Sequence, residues 1–195
     1  LNAHGLGEAS DWVKRWTHLA RPGGRVLDVA CGRGRHMAWF AARGFAVTGI
    51  DRDAQALSHA RQFGQVVQTD IENAHWPLQA NDTPATFDVV LVTNYLWRPL
   101  LPVLLQSVAP GGLLLFETFA VGNETVGKPA RPDFLLQPGE LLQYAAGMTV
   151  VAYENGFLSH PKRFIQRIVA VAPGAPSPAN DRVGKPPLRH LLSLE

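Results

Sequence analysis

Short apolar runs alternate along the chain with segments of helical periodicity. "EASDWVKRWTHLA" (8–20) puts Trp12, Val13, Trp16 and Leu19 at i, i+1, i+4 and i+7, one apolar face of a helix that Arg21-Pro22-Gly23-Gly24 ends. "RVLDVA" (25–30) is short, mostly apolar and bounded by glycines, the pattern of a strand buried on both faces. "GRHMAWFAARG" (34–44) reads as a helix closed by Gly44, and "FAVTGID" (45–51) as a second strand. "RDAQALSHARQFG" (52–64) reads as a helix with Asp53 at its N-cap and Gly64 as its stop, followed by a third strand, "QVVQTD" (65–70). "TFDVVLVTNYL" (86–96) is a fourth strand, with "FDVVLV" its buried part, and "RPLLPVLLQSVA" (98–109) a further helix with Pro99 in its first turn. Pro110-Gly111-Gly112 turns the chain into a fifth strand, "LLLFETF" (113–119).

Five repeats of strand and helix predict an α/β fold, a parallel sheet with helices on both faces and right-handed crossovers. Beyond Phe119 the rhythm changes. A polar loop with Gly122, Gly127, Pro129 and Pro132 leads to a short helix in "QPGELLQYAA" (137–146). "MTVVAYENGFLS" (148–159) and "KRFIQRIVAVA" (162–172), joined at His160-Pro161, are expected to add an antiparallel hairpin, completing a doubly wound, seven-stranded, mostly parallel sheet. Residues 1–172 are expected to form one domain. Residues 173–195 hold five of the fifteen prolines and little apolar periodicity, so a loosely packed tail is expected there.

With 195 residues, 46% hydrophobic and 17% charged, the composition is that of a globular domain with a substantial core. No apolar run reaches the roughly 18 residues of a membrane span, and no signal peptide is visible at the start. The chain opens on Leu1 rather than Met, so its native start is expected upstream. Cys31 is the only cysteine, which excludes an internal disulfide and fits a cytoplasmic location. A formal charge of +2, with small basic clusters at Arg33/Arg35 and Lys162/Arg163/Arg167, argues against nucleic acid as a partner. No metal site is expected, and either a monomer or a homodimer is compatible with the sequence.

The chemistry concentrates where the first strand meets its helix. In such sheets, ligands bind at the carboxyl ends of the strands, where strand order reverses. Gly32 and Gly34 sit just past the first strand, where the absence of side chains lets the backbone turn and a ligand approach. The second strand ends in Asp51, placed to accept hydrogen bonds from both hydroxyls of a ribose. The two features together suggest an adenosine-containing cofactor. The phosphate-loop pattern G-x-x-x-x-G-K-[ST] is absent, and the third glycine of the dinucleotide pattern G-x-G-x-x-G is replaced by Met37, which disfavours a nicotinamide-dependent oxidoreductase.

Val26-Leu27-Asp28-Val29-Ala30-Cys31-Gly32-Arg33-Gly34 resembles the first motif of class I S-adenosylmethionine-dependent methyltransferases. Gly49-Ile50-Asp51-Arg52 is similar to their second motif, Thr69-Asp70-Ile71 to the third, and Phe87-Asp88-Val89-Val90 through Asn94-Tyr95-Leu96 to the fourth. The arrangement is most similar to small bacterial methyltransferases of the tellurite-resistance type. The resemblance implies a Rossmann-like fold, S-adenosylmethionine as cofactor and S-adenosylhomocysteine as product. It implies that Gly32 and Gly34 lie against the methionine portion of the cofactor, with Ala30 and Cys31 offering backbone groups. Asp28 would orient the loop or receive the cofactor's ammonium, Asp51 would hold the ribose and Arg52 would flank the adenine. Asp70 would accept from the adenine amine, Ile71 would offer its N–H, and Asn94 and Tyr95 would line the methyl-donor end. His36 is expected at the cofactor edge or in a structural role. Trp12 is expected in the core or, with the 8–20 helix acting as a lid, against the cofactor.

Methyl transfer from a sulfonium is an in-line displacement, and a base is needed only where the acceptor must lose a proton. No dedicated base is evident. Glu117 and Tyr95 are the candidates for catalytic groups, and Arg98 either binds an anionic acceptor or pairs with a loop acid. Thr93-Asn94-Tyr95-Leu96 stands where base N-methyltransferases carry Asp/Asn-Pro-Pro-Tyr/Phe, so a small-molecule acceptor is expected. The competing reading is a non-catalytic module that binds an adenosyl cofactor.

Overall fold

The computed structural model describes residues 7–174 together with 190 and 192; the tail expected over 173–195 lies almost wholly outside the described residues. The strands are β1 (Arg25–Val29), β2 (Ala46–Asp51), β3 (Gln65–Gln68), a two-strand ribbon of β4 (Gln79–Ala80) and β5 (Thr83–Pro84), then β6 (Phe87–Thr93), β7 (Val108–Phe119), β8 (Thr149–Ser159) and β9 (Lys162–Val171). The helices are α1 (Asp11–Trp16), α2 (Arg35–Ala41), α3 (Ala54–Ala60), α4 (Leu101–Gln106) and α5 (Glu140–Tyr144). Seven strands form one sheet in the order β3-β2-β1-β6-β7-β9-β8. The first five of these pair in parallel, and β9 runs antiparallel to both β7 and β8. The doubly wound sheet with its C-terminal hairpin is the architecture the sequence predicts.

The strand core follows from period-two alternation with both faces apolar. In β6, Val89 and Leu91 face the layer of α1, α2 and α3, and Val90 and Val92 face that of α4 and α5. Val26 of β1 and Leu113 and Leu115 of β7 join the first layer; Leu27, Val29, Leu114 and Phe116 join the second. From β1 the chain winds outward to β2 and β3 and then returns to β6 beside β1. This reversal opens a crevice above the carboxyl ends of β1 and β6.

Some elements differ from expectation: the β4–β5 ribbon is additional, and the helix expected over 98–109 is a 3₁₀ turn at Arg98–Leu100 followed by α4. The helix predicted over 8–20 is shorter: Ser10 caps α1 by accepting from the Trp12 N–H at 3.2 Å, and Thr17–Leu19 tightens into a 3₁₀ turn. The turn predicted at Pro110-Gly111-Gly112 lies within β7, where the register against β6 slips between Phe87/Val108 and Val89/Leu113. Ala109, Pro110, Gly111 and Gly112 have no partner in β6, and Gly111, with φ 73°, sits in this bulge.

Candidate functional site at the sheet reversal

A cavity of about 470 Å³ opens at the reversal, within the range of small-molecule sites. Ala30 from β1's end, and Asp51 and Arg52 from β2's end, form one wall. Thr69, Asp70, Ile71 and Glu72 follow β3; Asn94, Tyr95 and Leu96 follow β6; Thr118 and Phe119 end β7; Pro129 and Phe134 reach in from the loop beyond it. Two non-glycine residues in the left-handed region, Ala30 (φ 55°) and Asn94 (φ 54°), stand at the ends of adjacent strands on this rim. Such strained backbone persists where the surrounding structure demands it and clusters at functional sites.

The two glycines do different things. Gly34 (φ 84°) starts α2, and a Cβ there would meet the Cα and Cβ of Ala60 at 3.0 Å, so it permits α3 to pack close. Gly32 (φ 53°) has nothing within 4 Å of where a Cβ would point. The space over Gly32 is therefore open to a ligand. Gly34→Ala is expected to cost about 1–3 kcal/mol of stability through overpacking and strain. Gly32→Ala should lose only about 1 kcal/mol of stability but should bind S-adenosylhomocysteine far more weakly; thermal melts and calorimetry on both variants check this contrast.

Asp51 links the loop to β2. One carboxylate oxygen accepts from the Gly32 N–H at 2.8 Å and the other from the Asp53 N–H at 2.9 Å. A carboxylate has about four acceptor sites, so two remain for a ligand. Asp53 caps α3 through the Gln55 and Ala56 N–H groups. Asp70 accepts from the Glu72 N–H at 3.1 Å and the Asn73 amide at 2.9 Å; the Asn73 bond first and then the Glu72 N–H hold its pKa below the usual range. Asp28 lies beneath the loop, 1% exposed, and neither of its oxygens has a hydrogen-bond partner. Burial, with the charge of Asp51 adding and that of Arg35 opposing, pushes its pKa up to about 8. An unpaired carboxyl group in this position fits a cationic ligand group. The Tyr95 hydroxyl is likewise unpartnered at the cavity, and burial, then the Glu72 charge, raises its pKa so that it stays protonated.

Other expected site residues lie outside the cavity wall. Trp12 is 2% exposed in the core, edge-on to Trp16, with its indole N–H donating to the Ile168 carbonyl at 3.4 Å, and it does not line the cavity. Cys31 is packed between strand and helix, and burial, followed by the charges of Asp28 and Asp51, drives its thiol pKa far up, so it is unreactive. His36 accepts from the Ser10 N–H on Nε2 at 3.2 Å, which leaves Nδ1 to donate to Thr93 Oγ at 3.4 Å. Burial, then the Arg35 charge, lowers its pKa to about 3, so it is a neutral tie between the N-terminal segment and β6. Glu117, 1% exposed, accepts from Ser10 Oγ at 3.0 Å and from Arg167 at 3.2 Å, with Arg163 at 3.6 Å. Ser10 and Arg167 each bond one of its oxygens with Arg163 beside them, and it does not line the cavity. Arg98 is also outside, paired with Glu140 at 2.6 Å. Glu72 and Pro129 line the cavity and were not among the residues singled out. Glu72 directly follows the third motif, which was the available signal; Pro129 lies in a loop with no periodicity to place it.

The doubly wound sheet places this cavity at its strand-order reversal, beside the Asp51–Gly32 contact, the position at which open α/β sheets bind ligands. A model of the methyltransferase domain family matches residues 26–112. The ubiquinone biosynthesis O-methyltransferase of Burkholderia ambifaria is 31% identical over 180 residues, covering 78% of this chain and 76% of that protein. That of Azoarcus sp. is 34% identical over 115 residues, covering 55% and 48%. Among solved structures, TehB from Haemophilus influenzae superposes with a TM-score of 0.69 at 18% identity, covering 87% of this chain and 64% of that one. A TehB-like S-adenosylmethionine-dependent methyltransferase from Corynebacterium glutamicum gives 0.60 at 19% identity, covering 87% and 91%. The chain belongs to the class I S-adenosylmethionine-dependent methyltransferases. Among the described residues, no helix is long and apolar enough to cross a membrane, and no group of three or more His, Cys, Asp or Glu could hold a metal ion.

Proposed function

We propose that the protein transfers the methyl group of S-adenosylmethionine to a small-molecule acceptor by in-line displacement, mainly through positioning, with residues 7–172 acting as one catalytic unit. The bound cofactor supplies an electrophilic methyl group on a sulfonium. Asp51 accepts from the ribose hydroxyls on its two free acceptor sites. The backbone of Ala30, Cys31 and Gly32 borders the methionine portion, with Asp28 receiving the ammonium. Arg52, Asp70 and Ile71 surround the adenine. Asn94 and Tyr95 stand at the methyl-donor end, with Thr118, Phe119, Pro129 and Phe134 enclosing the acceptor.

The observation that carries this reading is how charge is distributed around the cavity. Its charged residues, Asp51, Arg52, Asp70 and Glu72, all lie at or just past the ends of β2 and β3, whereas the end formed by β6, β7 and the loop offers aromatic rings and neutral hydroxyls. Tyr95 holds its proton too tightly to serve as a base near neutrality. The acceptor end therefore offers no charged group, so its part is to align the reactants while the acceptor brings its own nucleophile. Its size and apolar walls support a small acceptor, as do the O-methyltransferase relatives. A sole, buried Cys31 is consistent with the cytoplasm as the compartment.

Calorimetry is the first test. S-adenosylhomocysteine should bind in the micromolar range and NADH should give no heat; the reverse pattern would reject the reading. A transfer screen with methyl-labelled S-adenosylmethionine against catechols, thiols, small carboxylates and metalloid oxyanions then identifies the acceptor.

A further inference from the structure

Resting on that reading, we infer that Arg98 is a positioning residue for the acceptor end of the cavity: it fixes Phe134 by holding the peptide carbonyls on either side of it. Its guanidinium donates from one Nη to the Asp133 carbonyl at 2.7 Å and from the other to the Leu135 carbonyl at 2.9 Å. The same fork closes on both Glu140 oxygens, at 2.6 Å and 3.0 Å. Glu140 is itself nearly buried and accepts from the Gln137 N–H at 2.7 Å and the Tyr144 hydroxyl at 2.9 Å. Burial alone would raise its pKa, but the Arg98 bond and these two donors hold it below the usual range, so the pair stays ionised.

The loop between β7 and α5 is closed at its base, where the Leu136 N–H donates to the Phe119 carbonyl at 2.9 Å and the Val121 N–H to the Leu136 carbonyl at 3.0 Å. Between these points, two residues reach the cavity, Pro129 and Phe134. Each is held from outside. Buried Asn123 donates to the Pro129 carbonyl at 3.0 Å while accepting from the Phe164 N–H at 3.2 Å, and Arg98 brackets Phe134. Arg98 lies just beyond Asn94-Tyr95-Leu96 in the chain, so one side chain joins two walls of the acceptor end, the turn after β6 and the loop after β7. The guanidinium makes these four hydrogen bonds from three nitrogens held in one plane; an ammonium, with three N–H groups on one atom, cannot supply them all.

The test uses 4-fluorophenylalanine placed at position 134 or, as control, at 119, in the wild type, Arg98→Lys and Glu140→Gln. In ¹⁹F NMR of the S-adenosylhomocysteine-loaded protein, the position-134 resonance should shift toward that of the free amino acid and broaden in Arg98→Lys, and less so in Glu140→Gln. The position-119 resonance should stay in place, since β7 holds it, and S-adenosylhomocysteine affinity should be unchanged. An unmoved resonance at 134 would overturn the proposal, as would equal movement at both positions, which marks general loosening. Failure of the wild type to bind S-adenosylhomocysteine would count against the cofactor reading instead, and the fluorine spectra of the ligand-free protein would still decide the role of Arg98.

Discussion

Asp51→Ala is expected to weaken S-adenosylhomocysteine binding by roughly 10- to 150-fold, or about 1.5–3 kcal/mol, the scale of hydrogen bonds to a charged group. The loss has two sources. The ribose hydroxyls lose a charged acceptor, and the Gly32 N–H loses the carboxylate that fixes the loop at 2.8 Å. Asp51→Asn separates them only in part, because an amide nitrogen would face the N–H of either Gly32 or Asp53 where an oxygen now accepts. Asparagine should therefore bind nearly as weakly as alanine. Calorimetric titration of both variants, with thermal melts to show that they fold, checks the expectation; an affinity for Asp51→Ala equal to that of the wild type would remove the ribose role.

Asp28 gives the second large effect, and it is visible with and without ligand. An Asp carboxyl ordinarily titrates near 3.8, and burial pushes that of Asp28 up to about 8 in the ligand-free fold. Below pH 3.8 both states carry the proton and the group adds no pH dependence. Between 3.8 and 8 the unfolded chain has released its proton while the folded one retains it, so stability falls as pH rises, by an amount on the order of a few kcal/mol by pH 8. Denaturant titrations at pH 5 and pH 8 should show the wild type losing stability over this window relative to Asp28→Asn, which lacks the titrating group. Binding reverses the preference, since a ligand ammonium beside Asp28 stabilises the carboxylate. At neutral pH, S-adenosylhomocysteine should therefore displace about one proton, read as a dependence of the binding heat on buffer ionisation enthalpy. Asp28→Asn should bind more weakly and release none; proton release that persists in this variant would assign it to another group.

What was legible in the sequence is what depends on local pattern. Strands buried on both faces appear as short apolar runs, and the glycine joint and the acid ending β2 sit at fixed offsets from β1, so the sheet and the Asp51 wall can be read from spacing alone. The roles of the polar residues cannot. Arg98 meets Glu140 forty-two positions away, Glu117 meets Ser10 across 107, and His36 meets Thr93 across 57. An ionisable side chain beside a motif looks available until the partner that occupies it is known. For Trp12 the sequence leaves core and lid both open, since an aromatic residue on a short amphipathic helix suits either; in the structure it packs in the core layer with Leu113, Leu115 and Val169. The slip at Pro110-Gly111-Gly112 was hidden because residues that usually end a strand can also be accommodated within one where the partner strand shifts.

The measurement closest to the central claim is a crystal structure of the protein with S-adenosylhomocysteine. The expected result is a ribose with both hydroxyls on Asp51, a thioether sulfur facing Asn94 and Tyr95, and the ammonium close enough to Asp28 to fill its missing contact. A ligand bound elsewhere, or one in this cavity that leaves Asp28 without a partner, would contradict it.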